Sequence, residues 1–144
     1  MKRKENRMRS SARDVPATYF DLQAYWGVTK HMGGRRATEE LISLCGVDAD
    51  SLVLEVGCGV GVTTSILANA IGCRVAALDR NLMMLFRARD RAVRNGNDVK
   101  TLFVCAEAEH LPFRESVFDV VMSESVTTFA LNRKAAVCEY ARRL

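Results

Sequence analysis

Several features that direct function in other proteins are scarce in this chain. Its two histidines, His31 and His110, stand far apart, and its five cysteines (Cys45, Cys58, Cys73, Cys105, Cys138) form no C-x-x-C pair. Ligands so few and so scattered exclude a metal centre, and an odd number of cysteines argues against a disulfide framework. Most of the cysteines read instead as small core residues. No apolar run approaches the ~20 residues that cross a bilayer. No signal-peptide pattern opens the chain, so the cytoplasm is the expected compartment. No Gly-Lys-Ser/Thr follows a glycine-rich turn, which excludes a P-loop. Internal repeats are absent as well.

What is present is ordinary for a globular protein: 144 residues, 49% apolar and 26% charged, enough for one domain with a real core. The net charge of +4 is local. Residues 1–14 hold Lys2, Arg3, Lys4, Arg7, Arg9 and Arg13 against Glu5 and Asp14, which leaves 15 basic and 15 acidic residues in the rest. Such an arm is expected to be disordered, and a solvated tail is the plainer reading than a nucleic-acid contact.

The chain is organised around Leu52-Val53-Leu54-Glu55-Val56-Gly57-Cys58-Gly59-Val60-Gly61-Val62-Thr63-Thr64. A short apolar run reads as a buried parallel strand. The glycines after it permit a sharp turn and a close approach of backbone to a ligand. A helix over 62–71 follows, with Val62, Ile66, Leu67, Ala70 and Ile71 expected on its buried side; its first N–H groups point back at the turn. A dinucleotide fingerprint, G-x-G-x-x-G, would need glycine at 62, where Val62 stands. Glu55, two residues before the first glycine, would repel a pyrophosphate but suits a ligand carrying an ammonium group.

The rest of the chain alternates strand and helix. A second strand over 73–78 ends on Asp79, whose carboxylate can accept two hydrogen bonds from a ribose diol. Alternatively, Asp79 complements the dipole of the helix capped by Asn81. That helix carries Leu82, Leu85, Phe86, Ala88, Ala92 and Val93 at helical spacing and stops at Asn95-Gly96. Strands are expected over 99–105 and 118–123, and a last helix begins after Asn132. Upstream, residues 15–46 form an N-terminal helical region. Phe20, Leu22 and Trp26 make one face of its first helix, and a second helix runs over 36–45. Aromatics there serve a cap on the sheet and a lid over a pocket equally well, so both remain open. Residues 47–144 then form an α/β domain with a parallel sheet and right-handed crossovers. Its ligand is expected at the strands' C-terminal ends, where strand order reverses.

These motifs resemble those of the class I S-adenosylmethionine (SAM)-dependent methyltransferases. The family's first motif, E/D-x-G-x-G-x-G, is matched by Glu55, Gly57, Gly59 and Gly61, with Cys58 inside the turn. The stretch from Asp79 and Arg80 to Leu85 is similar to the family's acidic ribose-binding segment, which places Met84 beside the adenine. Glu107-Ala108-Glu109-His110-Leu111-Pro112-Phe113 resembles D-A-x-x-L-P-F. Glu107, one methylene longer than the usual Asp, would face the adenine amino group, and Ala108 would supply a backbone N–H. Phe118-Asp119-Val120-Val121 matches F-D-x-V, leaving Ser123 and Glu124 near the methionine part. His31-Met32-Gly33-Gly34 is similar to the H-P-G-G turn of the small-molecule branch (type 11, quinone C-methyltransferase-like), with Met for Pro.

The resemblance implies a Rossmann-like parallel sheet, order 3-2-1-4 with helices on both faces, SAM as cofactor and a small-molecule acceptor. Tyr25, Trp26, His31 and Glu124 are the candidates to touch that acceptor, and no catalytic base is assigned. The family continues with a K-P-G-G turn and three more strands. The expectation is therefore a fragment ending after the fourth strand and its helix, or a fourth strand whose edge is covered by a partner or a second copy. A non-catalytic SAM-binding module and a dinucleotide oxidoreductase are the competing readings; Val62 and Glu55 speak against the second.

Overall fold

Each short apolar run bounded by turn residues becomes a strand. The computed structural model describes residues 18–28 and 30–144, so the basic arm expected over 1–14 lies outside the described residues. The strands are β1 (Leu52–Val56), β2 (Arg74–Asp79), β3 (Thr101–Cys105) and β4 (Val120–Ser123), all parallel and ordered β3-β2-β1-β4. This is the expected order, and the reversal falls between β1 and β4. Among the described residues, the outer edge of β4 pairs with no strand.

Among the described residues, five α-helices accompany the sheet: α1 (Tyr19–Trp26), α2 (Gly34–Leu44), α3 (Val62–Ser65), α4 (Leu82–Asn95) and α5 (Arg133–Arg143). Successive side chains of a strand point to opposite faces, so β1 sends Val53 one way and Leu54 and Val56 the other. The first face packs Val53, Val75, Ala77 and Met122 against Ile42 of α2, Leu67, and Leu85 and Ala88 of α4. The second packs Leu54, Val56, Ala76 and Leu78 against Leu111, Phe118 and Ala136 of α5. Helices therefore cover both faces. Leu54, Leu67 and Leu78 are fully buried, and each such side chain stabilises the fold by about 1.5–3 kcal/mol. Asn81 caps α4 by accepting from the N–H groups of Met83 (2.9 Å) and Met84 (3.2 Å). Among the described residues, no helix is long and apolar enough to cross a membrane.

The helix after the glycine turn departs from expectation. Only Val62–Ser65 is α-helical, and Ile66–Ile71 is a π-helix, closed by the Gly72 N–H donating to Leu67 O at 2.9 Å. The wider turn rotates the buried side, so Leu67 and Ala68 are buried while Ala70 is exposed. In α1, the face toward the body is Phe20, Gln23 and Ala24, whereas Leu22 and Trp26 are exposed. The small side chain of Ala24 lets α1 lie close on Met84 and Val60. In α4, Leu82, Phe86 and Val93 are likewise exposed, and Met84, Leu85, Ala88 and Ala92 are buried. β3 starts at Thr101 because 98–100 form a 3-10 turn, and β4 starts at Val120 because Phe118 N–H bonds to Arg143 O (3.0 Å). Of the cysteines, Cys58 and Cys73 are buried, Cys45 is half-buried, and Cys105 and Cys138 are exposed; all are free thiols.

Gly61 stands where α3 starts, at φ 76°, and a Cβ there would lie 2.9 Å from Ala88 Cβ and 3.0 Å from Ala88 Cα. Backbone strain and overpacking act together, so Gly61→Ala is expected to destabilise the fold by about 2 kcal/mol or more. Urea unfolding would measure this, and a loss below about 0.5 kcal/mol would contradict the close approach of α4.

Candidate functional site

The glycine turn is fastened from several sides. The Gly57 and Cys58 N–H groups both donate to Leu78 O at the end of β2, at 2.7 and 2.9 Å. The Gly59 N–H donates to Asp79 Oδ2 at 2.9 Å, and Arg91 Nε of α4 donates to Val60 O at 2.9 Å. A Cβ on Gly57 would fall 2.1 Å from Val126 Cγ2, so the loop after β4 packs directly on the turn.

Three carboxylates converge here. Glu55 is 6% exposed, and its Oε2 accepts a 2.5 Å hydrogen bond from the Thr64 hydroxyl. Burial is the largest influence on Glu55; with the neighbouring Glu124 and Asp79 charges it outweighs the Thr64 bond and pushes the carboxyl up to about 8. Asp79 is raised too, again by burial, against the N–H groups of Asn81 and Gly59 and the charge of Arg80. Glu124 accepts from the Thr38 hydroxyl at 3.1 and 3.0 Å and from the Thr63 hydroxyl at 3.3 Å. A cavity of about 40 Å³ lies beside Glu55 and Glu124, lined by these two with His31, Val56, Gly57, Cys58, Val62, Thr63 and Met122 and not by Asp79. His31 is the sole basic side chain in that lining, its Nδ1 3.7 Å from Glu124 Oε1. Burial also raises the Cys58 thiol well above its ordinary value, so it is an uncharged wall and not a nucleophile. No group of three or more metal-ligating side chains occurs among the described residues.

The remaining site candidates distribute along the strand ends. Met84 is buried with Ala24 and Val60 beneath α1. Arg80 Nη1 lies 3.7 Å from Glu107 Oε2, both side chains about half exposed, and Ala108 is buried beside Leu111. The Ser123 hydroxyl meets Thr127 (3.2 Å), which in turn meets the Tyr140 hydroxyl (3.4 Å). Tyr25 and Trp26 are 58% and 68% exposed, stacked edge-to-face, and do not line the cavity. Thr38, Thr63 and Thr64 were not singled out from sequence. Each is a threonine in a polar or glycine-adjacent run, and its importance comes from a distant carboxylate.

Because the folded-state carboxyl of Glu55 is held above its ordinary value of 4.5, the unfolded chain ionises first as pH rises. Stability present below that value is then lost progressively up to about 8. Thermal midpoints of wild type and Glu55→Gln, whose amide keeps an oxygen for Thr64, are expected to diverge from pH 5 to pH 8 as the wild type weakens. Parallel profiles would contradict a neutral buried Glu55.

The family described as a methyltransferase domain matches residues 54–144. An uncharacterised protein of Haemophilus influenzae is 36% identical over 114 residues, covering 78% of this chain and 45% of that protein. The sterol 24-C-methyltransferase erg6 of Schizosaccharomyces pombe is 32% identical over 99 residues, covering 69% of this chain and 26% of the enzyme. The chain thus spans less than half the length of these relatives. Among solved structures, the MccD protein superposes with a TM-score of 0.75 at 21% identity, over 81% of this chain and 51% of the other, a likeness of fold. With the sheet order and glycine turn already in place, the match over residues 54–144 shows that the chain belongs to the methyltransferase domain family.

Proposed function

We propose that the glycine turn binds SAM and that the chain, or the protein it represents, transfers the methyl group to a small-molecule acceptor. The observation that carries this reading is the convergence of Glu55, Asp79 and Glu124 on one glycine turn with His31 as the only basic group in the cavity lining. Of the three, Glu55 is the buried one and is held neutral, while the Arg80 charge acts on Asp79 and His31 lies beside Glu124. A cationic ligand favours the ionised form of Glu55, whereas a pyrophosphate would oppose it. The donor set therefore fits a sulfonium that also carries an ammonium group.

In this reading Asp79 holds the ribose hydroxyls, and the backbone of Gly57, Cys58, Gly59 and Gly61 meets the ligand at close range. Glu55 balances its charge. Met84 and Ala108 flank the adenine, Arg80 and Glu107 border it, and Ser123 lies toward the methionine part. When bound, the cofactor supplies a methyl group already activated for displacement. What the chain must then do is hold, orient and exclude water, and proximity and orientation can supply ~7–11 kcal/mol of a barrier. The sterol named for the Schizosaccharomyces pombe relative supports a small-molecule acceptor, and in this reading Tyr25 and Trp26, exposed on α1 outside the cavity lining, meet it only as part of the lid. The unpaired edge of β4 is a surface that invites further chain, which we read as the seat of a partner or a second copy.

A cavity of about 40 Å³ has room for only a few water molecules, far below the ~300–1,000 Å³ of a ligand pocket. SAM binding there requires the site to widen. α1 contributes no residue to that lining, and we read it as a lid over the neighbouring strand ends: Phe20 stacks edge-on against Phe129, in the segment after β4, at 5.0 Å. Asn81 Nδ2 donates to Asp21 Oδ1 (2.7 Å), and Arg87 donates to Ala24 O (3.1 Å) and Tyr25 O (3.0 Å).

Calorimetry with SAM tests the binding step, and incubation with methyl-labelled SAM and candidate acceptors separates an enzyme from a binding module. Asp79→Asn is expected to weaken SAM binding by about 1–3 kcal/mol; an unchanged affinity would remove Asp79 from the ribose. Phe20→Ala is expected to speed SAM dissociation several-fold in stopped-flow chase, since the aromatic bridge closing the lid is gone. A dissociation rate equal to wild type would leave α1 a static cap.

A further inference from the structure

We propose that Glu124 is a positioning residue, the anchor that fastens the base of the lid to the glycine turn. The part of the proposal that concerns affinity rests on the SAM reading above. Glu124 follows β4 directly and meets two segments distant in sequence, residues 31–38 and the start of α3. Its two carboxylate oxygens take the Thr38 hydroxyl of α2 at 3.1 and 3.0 Å, across 86 residues, and Oε2 takes the Thr63 hydroxyl of α3 at 3.3 Å. Thr38 is 1% exposed, so this is a built contact and not a surface coincidence.

A threonine hydroxyl has one proton and spare lone pairs. Thr38 gives its proton to Glu124, and its oxygen also lies 3.3 Å from His31 Nε2, while His31 Nδ1 faces the Met32 carbonyl at 3.2 Å; the imidazole tautomer sets which ring nitrogen donates. Through these bonds Glu124 acts on its neighbours.

The consequence is mechanical. His31, Thr63 and Glu124 line the same cavity as Gly57 and Cys58, so the Thr38 and Thr63 bonds to Glu124 hold one wall of the ligand site in place. α1 sits upstream of the anchor and ends at Gly27, which adopts φ 67°. The lid can swing while residues 31–38 stay seated, and the site keeps its inner wall when its roof opens.

Thr38→Val removes the hydroxyl at nearly constant volume, and Thr38→Ser restores it. Amide exchange across residues 31–38 in the ligand-free protein is expected to accelerate at least tenfold in the Val variant. The SAM dissociation constant should rise about 5- to 20-fold, with both values returning to within about twofold of wild type in the Ser variant. Unchanged exchange in the Val variant, or a Ser variant that behaves like Val, would overturn the anchor. Altered exchange with unchanged SAM affinity would overturn its link to binding. Should the Val variant not fold, Glu124→Ala, which removes both acceptor oxygens, must loosen the same segment, and failure to do so overturns the proposal. If wild type does not bind SAM, the cofactor reading falls, and the exchange data still decide the anchor.

Discussion

The constraint on which this structure depends is a buried acid at the end of a central strand. Glu55 lies between β2 and β4, opposite Ala77 and Met122, where a parallel sheet ordinarily carries an apolar side chain. The fold tolerates it by giving it the Thr64 hydroxyl and by keeping it neutral. An isoleucine or leucine there would pack without this cost. The acid is explained by what it faces: a glycine turn tied to Leu78 and Asp79, where a cation can settle against backbone that has no side chains in the way.

The turn's rigidity and the lid's mobility come from different parts of the chain. Leu78 O, Asp79 and Arg91 hold the turn through strands and a long helix, elements that open only with the fold itself. The contacts of α1, in contrast, are a ring pair, a few side-chain bonds to α4 and a small apolar cluster of Phe20 and Ala24 with Val60 and Met84, separate from the two sheet cores. Such contacts can break singly without disturbing the sheet. A preformed cradle beneath a separable roof is the arrangement expected when water must be excluded around a reactive ligand.

Much of this was legible in the sequence, for reasons that are local. The glycine turn, the Asn81 cap and the Asn95-Gly96 stop each depend on residues within a few positions, and strand–helix alternation constrains topology strongly enough to give the order β3-β2-β1-β4. What could not be read depends on phase or distance. Ile66 to Ile71 has the same composition as an α-helix, and only the bond from Gly72 to Leu67 reveals the wider turn. Of the expected α1 face only Phe20 turns inward, because Ala24, not the larger Leu22 or Trp26, packs with Met84 of α4. The pairing of Thr38 with Glu124 spans 86 residues and leaves no periodic signal. Asp79 was recognised at its strand end, but its bond to the Gly59 N–H makes it part of the turn's own architecture as well.

The central claim is that a neutral buried carboxylate and its neighbours await a positive charge. It is tested most directly by counting protons during SAM binding, using calorimetry near pH 7 in buffers of different ionisation enthalpy. With Glu55 held up to about 8, a cation that draws it into its ionised form must release close to one proton per site. Binding with no proton release, or no binding at all while a dinucleotide binds tightly, would contradict the account.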